Sequence, residues 1–163
     1  MSYTTVGIVD YGMGNHASVY HSLHSLGFRV RISKEFDELD AADVLVLPGV
    51  GSFPEAMRGL HERGLVDYLK AQVSKKRPVV GICLGMQLFA TVSHEYNQNT
   101  AGLGVVPGEI VPFTDHGFHV GWNTLECVQH DPILNPDDRQ FFYFNHSYAY
   151  QGSNEYKVCL ARH

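Results

Sequence analysis

The chain has 163 residues, of which 44% are hydrophobic and 18% are charged. This length and composition exclude a disordered or fibrous protein and predict one globular domain, spanning residues 1–163, with its own core. The net charge of −5 argues against a protein that binds nucleic acid or anionic membranes through a basic surface.

The first half of the sequence alternates strand and helix patterns. Asn15 is a predicted N-cap and Gly27 a predicted stop for the first helix. Predicted strands cover residues 6–9, 28–32, 43–47 and 78–82, and predicted helices cover 15–26, a segment beginning near 54, 65–73 and 84–92. This order predicts a parallel central sheet with helices on both faces.

The second half of the sequence shows strand patterns separated by turn residues. Predicted strands cover residues 105–113, 119–128, 141–150 and 156–160. We expect these strands to be antiparallel and to extend or cap the parallel sheet.

The three cysteines indicate a reducing environment. Cys83, Cys127 and Cys159 form no CxxC pair, which argues against a zinc ribbon or a disulfide framework. Residues 1–5 show no basic segment and no long apolar run, so no signal peptide is predicted. We therefore expect a cytoplasmic protein. The histidines show no metal-ligand spacing with cysteines or acidic residues, so no metal site is predicted.

The strongest chemical motif is Gly81-Ile82-Cys83-Leu84-Gly85, which lies between a predicted strand and a predicted helix. This is the G-x-nucleophile-x-G elbow with cysteine as the nucleophile. The glycines allow the strand and the helix to approach closely. The helix N-terminus favours a thiolate and supplies backbone N–H groups to an oxyanion. The alternative is a buried cysteine between two incidental glycines.

Two glycine-rich turns follow other predicted strands. Residues 48–53, Pro-Gly-Val-Gly-Ser-Phe, lie at the edge of the sheet where ligands bind and could supply a second oxyanion donor. The alternative is an ordinary strand-to-helix turn. Residues 12–17 fit the outline G-x-G-x-x-A, with Glu35 about 20 residues further on, but the pattern is too short to predict a dinucleotide site.

An aromatic run near the C-terminus contains a candidate base. From the residues alone, His146 could deprotonate Cys83, or it could cap a strand or touch the substrate. Trp122, the single tryptophan, could belong to the core or to a partner contact.

Taken in order along the chain, these segments resemble the triad-type class I glutamine amidotransferases, in particular the family of glutaminase subunits of imidazole glycerol phosphate synthase. The matching segments are Asp10 to Asn15, Pro48 to Phe53, Gly81 to Gln87, Gly102 to Gly104, Gly121 to Asn123 and His146 to Tyr148. The resemblance implies a flavodoxin-like fold, no cofactor, and hydrolysis of glutamine to glutamate and ammonia.

The resemblance also implies roles for individual residues. Cys83 would form a glutamyl thioester, and the N–H groups of Leu84 and of Val50 and Gly51 would form the oxyanion hole. The residues that would hold glutamine are Gly49, Gly51, Gln87, His146, Ser147 and Tyr148. Asn15, Trp122 and Tyr143 would face a cyclase partner. The cyclase would use the ammonia to make imidazole glycerol phosphate and AICAR in histidine biosynthesis.

One feature departs from this family. Its catalytic His and Glu belong to a His-Pro-Glu segment that is absent from these 163 residues, and His146 matches a substrate-side position. We therefore expect a chain truncated at its C-terminus, with reduced stability and little or no glutaminase activity. Rival interpretations are a paralogue that feeds another synthase in surface-sugar biosynthesis, a small peptidase or deglycase of similar fold, and a non-catalytic docking subunit.

Overall fold

The computed structural model describes residues 3–114, 117–131, 133–134 and 141–161. The helices are α1 (His16–Ser25), α2 (Phe36–Asp40), α3 (Phe53–Glu62), α4 (Leu65–Ser74) and α5 (Leu84–Gln87). The first six strands are β1 (Thr5–Val9), β2 (Arg29–Ser33), β3 (Val44–Leu47), β4 (Val79–Gly81), β5 (Val92–Ser93) and β6 (Thr100–Ala101). The remaining strands are β7 (Gly108–Pro112), β8 (His119–Thr124), β9 (Glu126–Cys127), β10 (Phe141–His146), β11 (Tyr148–Gly152) and β12 (Cys159–Leu160). Short 3-10 helices cover Glu95–Asn97 and Asn154–Tyr156.

The first half forms a four-stranded parallel sheet in the order β2-β1-β3-β4. The helices that connect these strands pack on both faces of the sheet. One face buries Ile8 and Val46 against side chains of α1, including Val19 and Leu23. The opposite face forms the larger core with α3 and α4, which includes Leu47. The predicted parallel α/β architecture is confirmed.

Local sequence signals explain where α1 begins and ends. The side-chain oxygen of Asn15 accepts a hydrogen bond from the Ser18 N–H at 3.2 Å, as an N-cap does. Gly27 has a φ of +89°, and its N–H donates to the His24 carbonyl at 3.0 Å. Both predicted ends of this helix are therefore confirmed.

The later strands pair with one another in antiparallel fashion, as predicted, but they form sheets separate from β2-β1-β3-β4 and do not extend it. One of these sheets, β11-β7-β5-β6, is mixed, because β7 also pairs in parallel with β5. β8 pairs with β10, β7 pairs with β11, and β9 pairs with β12. The predicted strand 141–150 breaks at Ser147, whose carbonyl accepts a hydrogen bond from the Phe113 N–H at 3.2 Å. One continuous aromatic run therefore supplies strands to two sheets, a division that the alternation of residues did not reveal.

In the first half, one helix prediction was wrong and one helix was missed. The helix predicted over 84–92 ends at Gln87, because the carbonyls of Leu88 and Ala90 accept hydrogen bonds from the N–H groups of Leu103 and Gly104. The short helix α2 was not predicted; the side chain of Arg77 donates hydrogen bonds to the carbonyls at its C-terminal end. In both places, contacts with residues distant in sequence determine where the helix forms or ends.

Cys127 and Cys159 form a disulfide between β9 and β12, whereas the sequence analysis argued against a disulfide framework. The missing CxxC pair carries no information about this bond, because the two cysteines are 32 residues apart. None of the helices in the described ranges is long and apolar enough to cross a membrane.

Candidate active site

Cys83 lies on a tight turn between β4 and α5. Its backbone has a φ of 57° and a ψ of −122°, a strained conformation for a residue with a side chain. Its thiol is free, and the residue is exposed. The strain, the exposure and the position between strand and helix are those of a nucleophile elbow.

The elbow is packed so closely that two of its positions require glycine. A Cβ atom built on Gly85 would lie 1.8 Å from the Leu47 carbonyl oxygen. A Cβ atom on Gly81 would lie 2.5 Å from the Met86 Cα atom. The Ile82 N–H also donates to the Leu47 carbonyl at 3.0 Å, so β3 holds the elbow from one side.

The loop Gly49–Gly51, which we call the oxyanion loop, lies beside this elbow. A Cβ atom on Gly49 would lie 2.6 Å from the Gly85 nitrogen and 2.9 Å from the Leu84 Cβ atom. Gly51 adopts a φ of +98°, and Val50 is half exposed. The structure thus brings together the two segments whose N–H groups the sequence predicted to face an oxyanion.

Tyr11 lies beneath the oxyanion loop and was not identified as a site residue from the sequence. The residue is fully buried, and its hydroxyl donates a hydrogen bond to the Pro48 carbonyl at 2.8 Å. Burial, with a smaller contribution from Cys83, raises the pKa of Tyr11 to about 12. The hydroxyl therefore remains a donor throughout the physiological pH range.

Glu95 is a second residue that the sequence analysis missed. Although it is a carboxylic acid, it is buried, and its carboxylate accepts a hydrogen bond from the Phe53 N–H at 2.5 Å, at the N-terminus of α3. Its neighbour Tyr96 donates its N–H to the Tyr148 hydroxyl at 3.4 Å. A lone acidic residue in a turn gives no sequence signal that distinguishes it from a solvated one.

Gln87 joins the elbow to the second half of the chain. Its side-chain N–H donates to the Tyr148 carbonyl at 3.1 Å, across 61 positions of sequence. Gln87, Tyr148 and His146 also line a largely apolar cavity of about 390 Å³, whereas Cys83 lies outside its walls. The structure therefore connects some predicted substrate residues to the elbow through α5.

His146 lies opposite His119 on the ribbon of β8 and β10. The two residues pair across β10 and β8, and the ring of His119 stacks on Phe144 with centroids 4.6 Å apart. Burial, and secondarily the charge of His119, lower the pKa of His146 below its ordinary value. The imidazole of His146 is therefore uncharged near neutral pH.

Trp122 and Tyr143 form an exposed aromatic pair on the ribbon made by β8 and β10. They are opposite each other in register, and their ring centroids are 5.5 Å apart. Trp122 is 70% exposed, and Phe141 on the same face is 65% exposed. Asn15 lies elsewhere in the chain, at the start of α1, where the adjoining Gly14 approaches Pro48.

Within the part of the chain that the structure describes, no group of three or more His, Cys, Asp or Glu side chains could hold a metal ion.

Comparison with known protein families identifies the family of this chain. The family model described as "Glutamine amidotransferase class-I" matches residues 7–162. The chain therefore belongs to the class-I glutamine amidotransferase family, as the resemblance found in the sequence predicted.

Individual relatives narrow the assignment from the class-I family to one kind of subunit. The chain is 42% identical to imidazole glycerol phosphate synthase subunit HisH of Geobacillus thermodenitrificans, over 97% of this chain and 77% of the relative. It is 43% identical to the HisH subunit of Halalkalibacterium halodurans, over 88% of this chain and 71% of the relative. Within the class-I family, the chain therefore belongs with the HisH subunits.

A solved structure supports the fold independently of sequence identity. The chain superposes on the structure of PurLQS from Thermotoga maritima with a TM-score of 0.73 at 16% identity, covering 99% of this chain and 75% of that chain. At this identity the comparison shows the fold alone. It confirms the predicted α/β fold.

Proposed function

We propose that the chain is a glutaminase that hydrolyses glutamine to glutamate and ammonia through a thioester on Cys83. The observation that carries the proposal is the exposed Cys83 at a positive-φ elbow, with the oxyanion loop packed against it. Membership of the class-I amidotransferases and similarity to HisH subunits support this reaction over other uses of a cysteine elbow.

The reaction proceeds in two stages. The Cys83 sulfur attacks the carboxamide carbon of glutamine, and the carbonyl oxygen becomes an oxyanion that accepts hydrogen bonds from Leu84, Val50 and Gly51. The proton of the Cys83 thiol passes to the amide nitrogen, so that collapse of this intermediate expels ammonia and leaves a glutamyl thioester. Water then attacks the thioester, glutamate is released, and the thiol is restored.

The side chains that bind glutamine extend from Gln87 to the start of β11. Gln87 is placed one helical turn after Cys83, and its hydrogen bond to the Tyr148 carbonyl brings β11 toward the elbow. We assign substrate binding to Gly49, Gly51, Gln87 and the segment His146–Tyr148. His146 acts there as an uncharged group, consistent with its lowered pKa.

The test of the nucleophile is glutamate release from glutamine, with a cyclase subunit of imidazole glycerol phosphate synthase and its ligand present. Without a His-Pro-Glu segment, these 163 residues are expected to release glutamate slowly. Cys83→Ala should abolish this release, whereas the double variant Cys127→Ala and Cys159→Ala, which keeps Cys83, should release glutamate as the unaltered chain does. In a single turnover, mass spectrometry should detect a glutamyl thioester on Cys83. This measurement identifies the nucleophile even when turnover is slow. Release by Cys83→Ala, or a chain that forms neither glutamate nor thioester, would contradict the proposal.

The partner that receives the ammonia is proposed to be the cyclase subunit of the histidine pathway. The relatives are named as subunits of a synthase, and the ribbon of β8 and β10 presents Trp122, Tyr143 and Phe141 to solvent. An exposed aromatic cluster of this kind is typical of a protein interface. We assign Trp122 and Tyr143, with Asn15, to the docking surface.

Trp122→Ala tests this docking surface. We expect the affinity for the cyclase subunit, measured by titration calorimetry, to fall at least tenfold, since exposed tryptophans at interfaces are frequent hot spots. Tyr3→Ala is the matched control, because Tyr3 is 63% exposed and precedes β1. Equal affinities for the two variants would exclude Trp122 from the interface.

A further inference from the structure

The hydrogen bond between Tyr11 and Pro48 joins the core of the molecule to the oxyanion loop. Tyr11 belongs to the turn that follows β1, and Pro48 follows β3, its neighbour in the sheet. The bond spans 37 positions of sequence and is buried. The turn after β1 is thereby fixed to the first residue of the Pro-Gly-Val-Gly segment.

Because the peptide bond is planar, the hydrogen bond to the Pro48 carbonyl also fixes the direction of the N–H group that follows it. In a trans peptide, the carbonyl and the following N–H point in opposite directions, and no cis peptide bond occurs in the described residues. The Tyr11 hydroxyl holds the Pro48 carbonyl, so the Gly49 N–H points to the side opposite from Tyr11. The direction in which the oxyanion loop leaves β3 is therefore set.

The packing around Gly49 leaves the loop little freedom at this point. A Cβ atom on Gly49 would lie 2.9 Å from the Tyr11 hydroxyl oxygen and 2.6 Å from the Gly85 nitrogen. Gly49 is thus held between Tyr11 and the elbow that carries Cys83. By contrast, Val50 is half exposed and Gly51 adopts a φ that favours glycine, so the rest of the loop depends on its anchored end.

We propose that Tyr11 is a positioning residue for the oxyanion loop: its hydroxyl fixes the Pro48 carbonyl, so that the loop presents its N–H groups to an oxyanion formed on Cys83. This role rests on the glutaminase function proposed above. Tyr11 acts through the loop and does not touch the substrate. Without its hydroxyl, the Pro48 peptide can rotate, and the N–H groups lose the alignment that stabilises the oxyanion.

The test uses two reagents that differ in their need for an oxyanion hole. Glutamate γ-semialdehyde is the aldehyde analogue of glutamine: the Cys83 sulfur bonds to its carbonyl carbon, and the carbonyl π electrons move to the oxygen, which accepts hydrogen bonds from the loop. Iodoacetamide alkylates the thiolate, with iodide as the leaving group, and forms no oxyanion. Protection of Cys83 from iodoacetamide, quantified by peptide mass spectrometry, gives the affinity for the aldehyde.

For Tyr11→Phe, we expect an affinity for the aldehyde about tenfold to a hundredfold lower, with the rate of iodoacetamide alkylation unchanged. Tyr68→Phe is the matched control, because it also removes a hydrogen-bonded hydroxyl, one that donates to Asp40 at 2.8 Å. It should leave both measurements unchanged. Tyr11→p-aminophenylalanine keeps the ring and restores an N–H donor, so it should recover most of the affinity.

The outcomes separate the two proposals. If the unaltered chain shows no saturable protection by the aldehyde, the proposed glutaminase site fails, and the role of Tyr11 fails with it. If the unaltered chain is protected and Tyr11→Phe is protected equally well, only the positioning role is overturned. If Tyr11→Phe does not fold, as judged by its melting curve, Tyr11→p-methylphenylalanine replaces it in the comparison, because it fills the hydroxyl volume without donating.

Discussion

The two halves of this chain differ in the burial of their apolar side chains. Among the described residues, every apolar side chain classed as buried lies between Val6 and Ile110. Beyond Ile110, Trp122 and Phe141 on the β8–β10 ribbon, and Phe118 just before β8, are each exposed at 60% or more. The first half builds a core around a parallel sheet, whereas the second half presents aromatic side chains at its surface.

This contrast separates the parts of the proposed function. The elbow with Cys83 and the oxyanion loop need fixed backbones, and both are formed by segments of the densely packed first half. The proposed docking surface needs exposed area, which the β8–β10 ribbon supplies. The proposed catalysis, which depends on aligned backbone groups, is thus assigned to the parallel first half. The proposed partner binding, which depends on exposed area, is assigned to the β8–β10 ribbon.

The largest expected effect of a substitution is at the elbow. In Gly85→Ala, the new Cβ atom would lie 1.8 Å from the Leu47 carbonyl oxygen, and backbone cannot yield as a flexible side chain does. We expect the free energy of unfolding to fall by about 3 kcal/mol or more. Urea unfolding followed by circular dichroism measures this change.

Gly27→Ala is the control for this comparison. Gly27 also has a backbone that favours glycine, with a φ of +89°, but a Cβ atom there would meet nothing within 4 Å. We expect a loss of about 1–2 kcal/mol, from backbone conformation alone. Similar losses at the two positions would show that the elbow is less tightly packed than the structure indicates.

The second expected effect concerns Arg77, which holds α2 against α4 in the same half. Its guanidinium donates to the Leu39 carbonyl at 2.6 Å and to the Gln72 side chain at 3.1 Å, and also to the Ala42 carbonyl. Arg77→Ala should lower the free energy of unfolding by about 2 kcal/mol, because it leaves part-buried carbonyls without a donor. Arg77→Lys should recover little, since an ammonium group lacks the fork that reaches several acceptors.

An exposed arginine in the same half is the matched control for Arg77. Arg58 pairs with Glu62 at 3.9 Å on the surface of α3. Arg58→Ala should change the free energy of unfolding by about 0.5 kcal/mol at most, because solvent screens the pair. An equal loss in the two arginine variants would refute the role given to Arg77.

The sequence predicted the first half better than the second, and the reason is physical. The strands of the parallel sheet are short apolar runs separated by helices, so their limits follow from local patterns, as at Asn15 and Gly27. The division of the aromatic run at Ser147 depends on which sheet each part joins. Such pairing is a property of the folded chain and leaves no local signal.

The same reasoning applies to the site. Cys83 and its glycines carry a motif, because the turn itself restricts the residue types, and the structure displays the strained backbone that the motif predicts. Tyr11 and Glu95 carry none, because their importance comes from Pro48 and Phe53, which lie 37 and 42 positions away. Their roles are visible only when the chain is folded.

The smallest expected effect concerns two histidines, His146 at the end of β10 and His94 just after β5, which should respond to pH in opposite directions. Burial and His119 lower the pKa of His146, so the unfolded chain, with a pKa of about 6.5, takes up the proton more readily. Its contribution to stability is complete above about pH 6.5 and is lost as the pH falls toward the folded pKa. His146→Gln should therefore lose less stability on acidification than the unaltered chain.

His94 should show the reverse behaviour. Hydrogen bonds to Glu109 and Asn99, at 2.9 and 2.8 Å, raise the pKa of His94. The stability that it contributes is complete below about pH 6.5 and is lost as the pH rises through the folded pKa. Urea midpoints at about pH 5.5 and 7.5 should show His94→Gln losing stability mainly at the lower pH. If both variants changed the pH dependence of the urea midpoint in the same direction, the two imidazoles would have similar environments. That result would contradict the structure, in which His146 lies opposite the buried His119 and His94 contacts a surface carboxylate.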